Sequence, residues 1–70
     1  MMPLAMVKTG ETGVIRKITG RDEVRQRLAE LGFVVGERVT VVSELGGNLI
    51  LSVKDCRVAL DRTMAMRIMV

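Results

Sequence analysis

The sequence predicts a small, mainly β domain: a closed five-stranded barrel with one α-helix inserted at about residues 22–31 and a short helical turn at about 61–66. Three observations carry this reading. Short runs rich in Val, Ile and Leu (14–18, 38–43, 49–53, 57–60 and 67–70) are separated by tight clusters of Gly, Asn and Asp. One segment keeps a helical period, with Val24, Leu28 and Leu31 at i, i+4 and i+7. Seventy residues make a single domain, near the smallest size that folds alone, and closing the sheet would remove its free edges.

Residues 1–8 read as a lead-in, with Leu4 and Val7 placed to cover one end of the core. Thr9 to Gly13 reads as a turn and Val14 to Ile18 as the first strand, whose alternation is interrupted by Arg16 and Lys17. Such an interruption predicts a bend or a bulge. Thr19 and Asp22 have capping-box spacing, and Asp22 is also placed to be the N-cap itself. On the helix, Asp22, Arg25, Gln26 and Glu30 fall on the outer side, while Arg27 lies on the flank, where its stem can cover apolar surface. Gly32 stands where a helix closes in the left-handed conformation, and Phe33 where a Schellman ending folds a hydrophobe back onto Leu28.

Gly36 and Glu37 turn the chain into the strand 38–43, and Glu44 to Asn48 is a hairpin tip in which Gly46, Gly47 and Asn48 accept positive φ. Leu49, Leu51 and Val53 alternate with Ile50, Ser52 and Lys54, the pattern of a half-buried strand. Lys54, Asp55 and Cys56 form a second turn, after which Val58 and Leu60 face inward. Asp61 caps the short helical turn, and Arg67 to Val70 closes the chain as a strand.

Composition narrows the chemistry. Eleven basic and eight acidic residues give a net charge of +3, with the signs interspersed. The basic groupings are Arg16 with Lys17 and the set Arg21, Arg25 and Arg27; they read as a solvated mixed-charge surface or as a patch for an acidic partner protein. His is absent, and with it the commonest general base and metal ligand. The single Cys56 can build neither an internal disulfide nor a zinc site, which fits a reducing compartment; it reads as a turn residue or a small hydrophobe. The carboxylates are scattered over turns and helix ends, where they cap and solubilise; the competing reading is a hard-cation site built from two or three of them. Met64, Met66 and Met69 fill a core poor in aromatics or, in the competing reading, recruit a soft metal. Gly10 and Gly13 have GxxG spacing, but they precede a strand and read as turn chemistry. Barrels that bind single-stranded nucleic acid stack bases on aromatic residues, and this chain has only Phe33. No signal-peptide pattern and no apolar run of membrane-spanning length occur, so a soluble, cytoplasmic protein is expected.

Arg27-Leu28, Glu30-Leu31-Gly32-Phe33 and Gly36-Glu37 resemble the signature of the FeoA family, small accessory proteins of bacterial ferrous iron uptake. Pro3-Leu4 and Gly10-Glu11 resemble that family's lead-in, Ile15 and Ile18 its first strand, Val58-Ala59-Leu60 its fourth, and Ala65, Ile68 and Val70 its ending. Val35 stands where the family often has Pro, Asp55 where Gly is usual, and Asp61 where a basic residue is usual. The resemblance implies an SH3-like barrel with an inserted helix, similar also to the C-terminal domain of DtxR-type repressors. It implies a non-enzymatic protein that binds or modulates the cytoplasmic GTPase part of the FeoB-type membrane iron transporter. It gives structural weight to Arg27, Leu28, Leu31, Gly32, Phe33, Gly36, Leu60, Ala65 and Ile68. Exposure and charge place the partner contact on Arg21, Arg25 and Gln26 of the helix and on Gly46, Gly47 and Asn48 of the hairpin tip. No cofactor is firmly implied. The alternatives are a metal-responsive module taking Fe(II) or another divalent transition metal through carboxylates, and a nucleic-acid-binding barrel; self-association through the Met-rich end is also open.

Overall fold

The backbone pairing divides between two sheets instead of closing into one barrel. In the computed structural model, which describes residues 1–70, β1 (Thr12–Val14), β3 (Arg38–Leu45), β4 (Asn48–Val53) and β5 (Cys56–Asp61) form an antiparallel sheet in the order β1-β3-β4-β5. A second sheet pairs β2 (Lys17–Ile18) with β6 (Ile68–Met69). Helix α1 (Asp22–Glu30) connects β2 to β3, and α2 (Arg62–Ala65) connects β5 to β6.

The predicted first strand therefore becomes two. The Ile15 N–H still donates to the Glu37 carbonyl at 2.9 Å, whereas the Arg16 N–H donates to the Met69 carbonyl at 2.8 Å. The chain changes sheets across this dipeptide, so the charged interruption read as a bend is a transfer between sheets. Gly13, read as a turn residue, sits inside β1 opposite Val39. The expected closure fails at the other end: β5 pairs only with β4. The cause is local, because Asp61 accepts a 2.8 Å bond from the Met64 N–H and starts α2 before β5 can meet another strand.

The lead-in is a built element. Leu4–Met6 forms a 3-10 turn that buries Leu4 completely, Pro3 bridges Met69, and Met2 and Val70 exchange two backbone bonds of 2.8 Å. The small sheet thus gains a third, N-terminal partner.

Helix α1 ends as its sequence predicts. The Gly32 N–H donates to the Ala29 carbonyl at 3.0 Å and the Phe33 N–H to the Leu28 carbonyl at 2.9 Å, the two bonds of a Schellman ending, with Gly32 at φ +105°. Phe33 and Leu28 are both fully buried. Leu31 departs from expectation: as the C-cap residue it is 41% exposed, because the chain reversal gives its place in the core to Phe33. The start of the helix also differs. Arg21 holds the N-cap position with no side-chain cap, and neither Thr19 nor Asp22 caps it. Gly20, at φ +115°, turns the chain so that the Thr19 hydroxyl donates to the Arg67 carbonyl at 3.3 Å instead.

The hairpins follow turn chemistry. Gly46 and Gly47, with φ of +57° and +82°, make a two-residue turn with Asn48 already in β4; a register shift between Val41 and Ser43 keeps Val41 and Leu49 both inward. Lys54 and Asp55, at φ +49° and +63°, make the second turn alone. Cys56 begins β5 and is exposed, so it is neither a turn residue nor a packed hydrophobe. The core consists of thirteen buried residues, every one apolar, centred on Phe33, Leu4, Ile15, Leu28, Leu51 and Ile68. Burial of each large side chain contributes on the order of 2 kcal/mol, and a single Phe suffices because Leu and Ile fill the remaining volume.

Candidate partner-binding surface

The polar face of α1 stands clear of the core. Arg21, Arg25 and Gln26 are all exposed, and the one restraint among them is an ion pair of 3.6 Å between Arg25 and Asp22, one helical turn apart. The 3.6-residue period produces this face: Val24 and Leu28 point inward, leaving the intervening positions to solvent.

Gly46, Gly47 and Asn48 are likewise exposed, at the tip of the longest hairpin. They sit at the opposite end of β4 from the Lys54 turn, about 17 Å away by strand geometry. The C-terminal end of α1 lies against that far turn, since a Cβ at Gly32 would stand 3.6 Å from Lys54 Cδ. No hydrogen bond or ion pair joins the helix face to the tip. Beside the tip lies a polar node that the sequence did not signal. Arg62 donates to Glu44 Oε2 at 2.6 Å and to the Ala5 carbonyl at 3.3 Å, tying α2 to β3 and to the N-terminal turn. Eighteen residues separate the two charges, too far for any local spacing rule.

A groove of about 440 Å³, absent from the sequence reading, runs between α1 and the free side of β5. Arg27 and Leu31 form one wall, Val58 to Asp61 the other, and Met64 also lines it. It exists because the sheet does not close there. Of the residues given structural weight, Leu28, Phe33, Leu60, Ala65 and Ile68 are buried, and Gly32 and Gly36 hold positive φ in turns. Arg27 and Leu31 are exposed and face the groove instead.

No three Asp, Glu or Cys side chains come together as a set able to hold a metal ion. The three methionines also diverge: Met64 lines the groove, Met66 is exposed after α2, and Met69 lies in β6 opposite Lys17. No helix is long and apolar enough to cross a membrane.

The sequence matches the family described as "FeoA domain" over residues 2–70. It is 37% identical over 70 residues to a candidate Fe(2+) transport protein A of Methanocaldococcus jannaschii, covering all of this chain and 85% of that one. It is also 37% identical, over 69 residues, to a fusion of Fe(2+) transport protein A with the Fe(2+) transporter FeoB in Porphyromonas gingivalis; the match covers 96% of this chain and 8% of that protein. Among solved structures, a crystal structure of an iron uptake regulatory protein, FeoA, superposes with a TM-score of 0.88 at 28% identity, covering 96% and 91% of the two chains. The zinc complex of Stenotrophomonas maltophilia FeoA, described as an SH3 domain protein, gives 0.73 at 31% identity over 99% and 88%. A manganese-dependent transcriptional repressor shares the fold alone, with a TM-score of 0.84 at 22% identity over 94% of this chain and 38% of that one. The two-sheet fold is therefore the SH3-like one, and the chain belongs to the FeoA family.

Proposed function

We propose that this chain is a non-enzymatic accessory protein of ferrous iron uptake that works in the cytoplasm by docking on the GTPase part of a FeoB-type transporter. One observation carries the reading: in Porphyromonas gingivalis a segment 37% identical to this chain is fused to FeoB, and fusion keeps two partners at high effective concentration. The contact falls on Arg21, Arg25 and Gln26 of α1 and on Gly46, Gly47 and Asn48 of the hairpin tip, all of them exposed.

Titrating the isotopically labelled chain with the cytoplasmic part of the transporter tests this. Amide shifts on these six residues are expected, and Arg21→Glu with Arg25→Glu should weaken the complex about tenfold. No shift anywhere would defeat the proposal. A second reading, a module that senses Fe(II) or another divalent transition metal through surface carboxylates, draws support from the zinc complex of the Stenotrophomonas maltophilia relative. Saturable line broadening confined to particular Asp or Glu residues on adding Mn(II) would favour it over partner docking.

A further inference from the structure

We infer that the groove between α1 and β5 is a strand-addition site, taking an extended protein segment that carries alternating apolar side chains and an acidic one. The inference goes beyond the docking face proposed above and uses different residues.

Three features of the groove agree on this occupant. The first is an open sheet edge. Val53 and Cys56 close the two-residue hairpin as a hydrogen-bonded pair, and the same antiparallel alternation pairs Val58 with Leu51 and Leu60 with Leu49. The N–H and C=O groups of Arg57 and Ala59 consequently point away from β4, and no turn, loop or cap bond reaches either residue. Exposed edge groups of this kind are the template to which extended peptides add as a further strand.

The second feature is an apolar lining. Leu31 leans over the groove at 41% exposure, facing half-buried Val58 and Met64. Leu31 has no place in the core, so the fold leaves a large apolar side chain where an incoming one could cover it. Ala59, exposed and small, leaves room beside the edge for a backbone to approach.

Charge supplies the third. The ion pairs of the molecule are Asp22–Arg25 and Glu44–Arg62, so Arg27 faces the groove with no carboxylate partner. The groove's own acid, Asp61, accepts the α2 capping bond through Oδ1 and makes no ion pair with Arg27. A segment bringing a carboxylate to Arg27 completes a charge-assisted pair; one bringing a lysine meets repulsion. An apolar small molecule would satisfy Leu31 and Met64 but neither the edge nor Arg27.

The test uses the full chain and blocked synthetic hexapeptides, followed by amide shifts at millimolar peptide. The probes are an alternating Val-Glu peptide, its Val-Lys counterpart, and the Val-Glu peptide N-methylated on every amide so that neither of its edges can pair. The first should move the Arg57, Ala59 and Leu31 amides saturably, and the other two should bind at least about tenfold more weakly. Arg27→Glu should exchange the preference between the Glu and Lys peptides. Leu31→Ser should weaken the Glu peptide while the spectrum elsewhere stays that of the folded chain. Equal response to all three peptides, shifts confined to other surfaces, or no shift at all would overturn the inference. Because no transporter is in the assay, none of these results bears on docking to FeoB.

Discussion

At the scale of single residues, two glycines carry contrasting loads. Gly32 is required by its backbone: at φ +105° any side chain is strained, although a Cβ there would meet neighbours only at an ordinary 3.6–3.7 Å. Gly32→Ala should cost about 1–2 kcal/mol, read as a lower urea midpoint at unchanged slope. Gly13 is required by its neighbour, since an added Cβ would stand 2.9 Å from Val70 Cβ. Gly13→Ala should lose about 1–3 kcal/mol, and the loss should be smaller in a Val70→Gly background, where the opposing atom is gone. The contrast explains what a sequence reader can see. Gly32 announces itself because the helical period ends beside it, a local signal. The partner of Gly13 lies at the far end of the chain, so this glycine read as one more turn residue. Leu31 misled for a related reason: period counting places it inward, while the Schellman reversal is what decides which residue reaches the core.

At the scale of elements, the turns and caps were legible because their chemistry involves only adjacent residues. Asp61 does cap α2, and Asp61→Ala should lower stability by about 1 kcal/mol while Asp61→Asn retains most of it, measured by urea unfolding. The Lys54–Asp55 turn holds two non-glycine residues at positive φ, a conformation for which Asn-Gly is better suited. Lys54→Asn with Asp55→Gly should therefore raise stability by about 1 kcal/mol in the same measurement. The start of α1 departs from its spacing because a capping box needs more than spacing: the Thr19 hydroxyl goes instead to the Arg67 carbonyl, in the turn before β6. The split of the first strand and the free side of β5 were illegible in principle. Which strands pair across the molecule depends on contacts between distant segments, and alternation within one strand is silent about them. The exposed faces proposed for docking could be read from helical period and turn type; the groove, a product of that missing pairing, could not.

For the whole molecule, the polar tie through Arg62 shows how little of its stability need be electrostatic. Both charged partners are about half exposed, so Arg62→Met should cost less than about 1 kcal/mol, and the difference from wild type should shrink at high salt. The apolar core, assembled from the N-terminal turn, both sheets and both helices, does most of the holding. Its two chain ends meet where Met2 and Val70 exchange backbone bonds. Joining them with a short flexible linker and opening the chain between Gly46 and Gly47 should give a permuted protein that folds with the same pairing, testable by its amide spectrum. The same meeting point has a mechanical consequence. Tension applied across the two termini loads that antiparallel pair end-on, so its bonds open one after another instead of resisting together. Pulled between its ends, the domain is a zipper whose slider already sits at the open end.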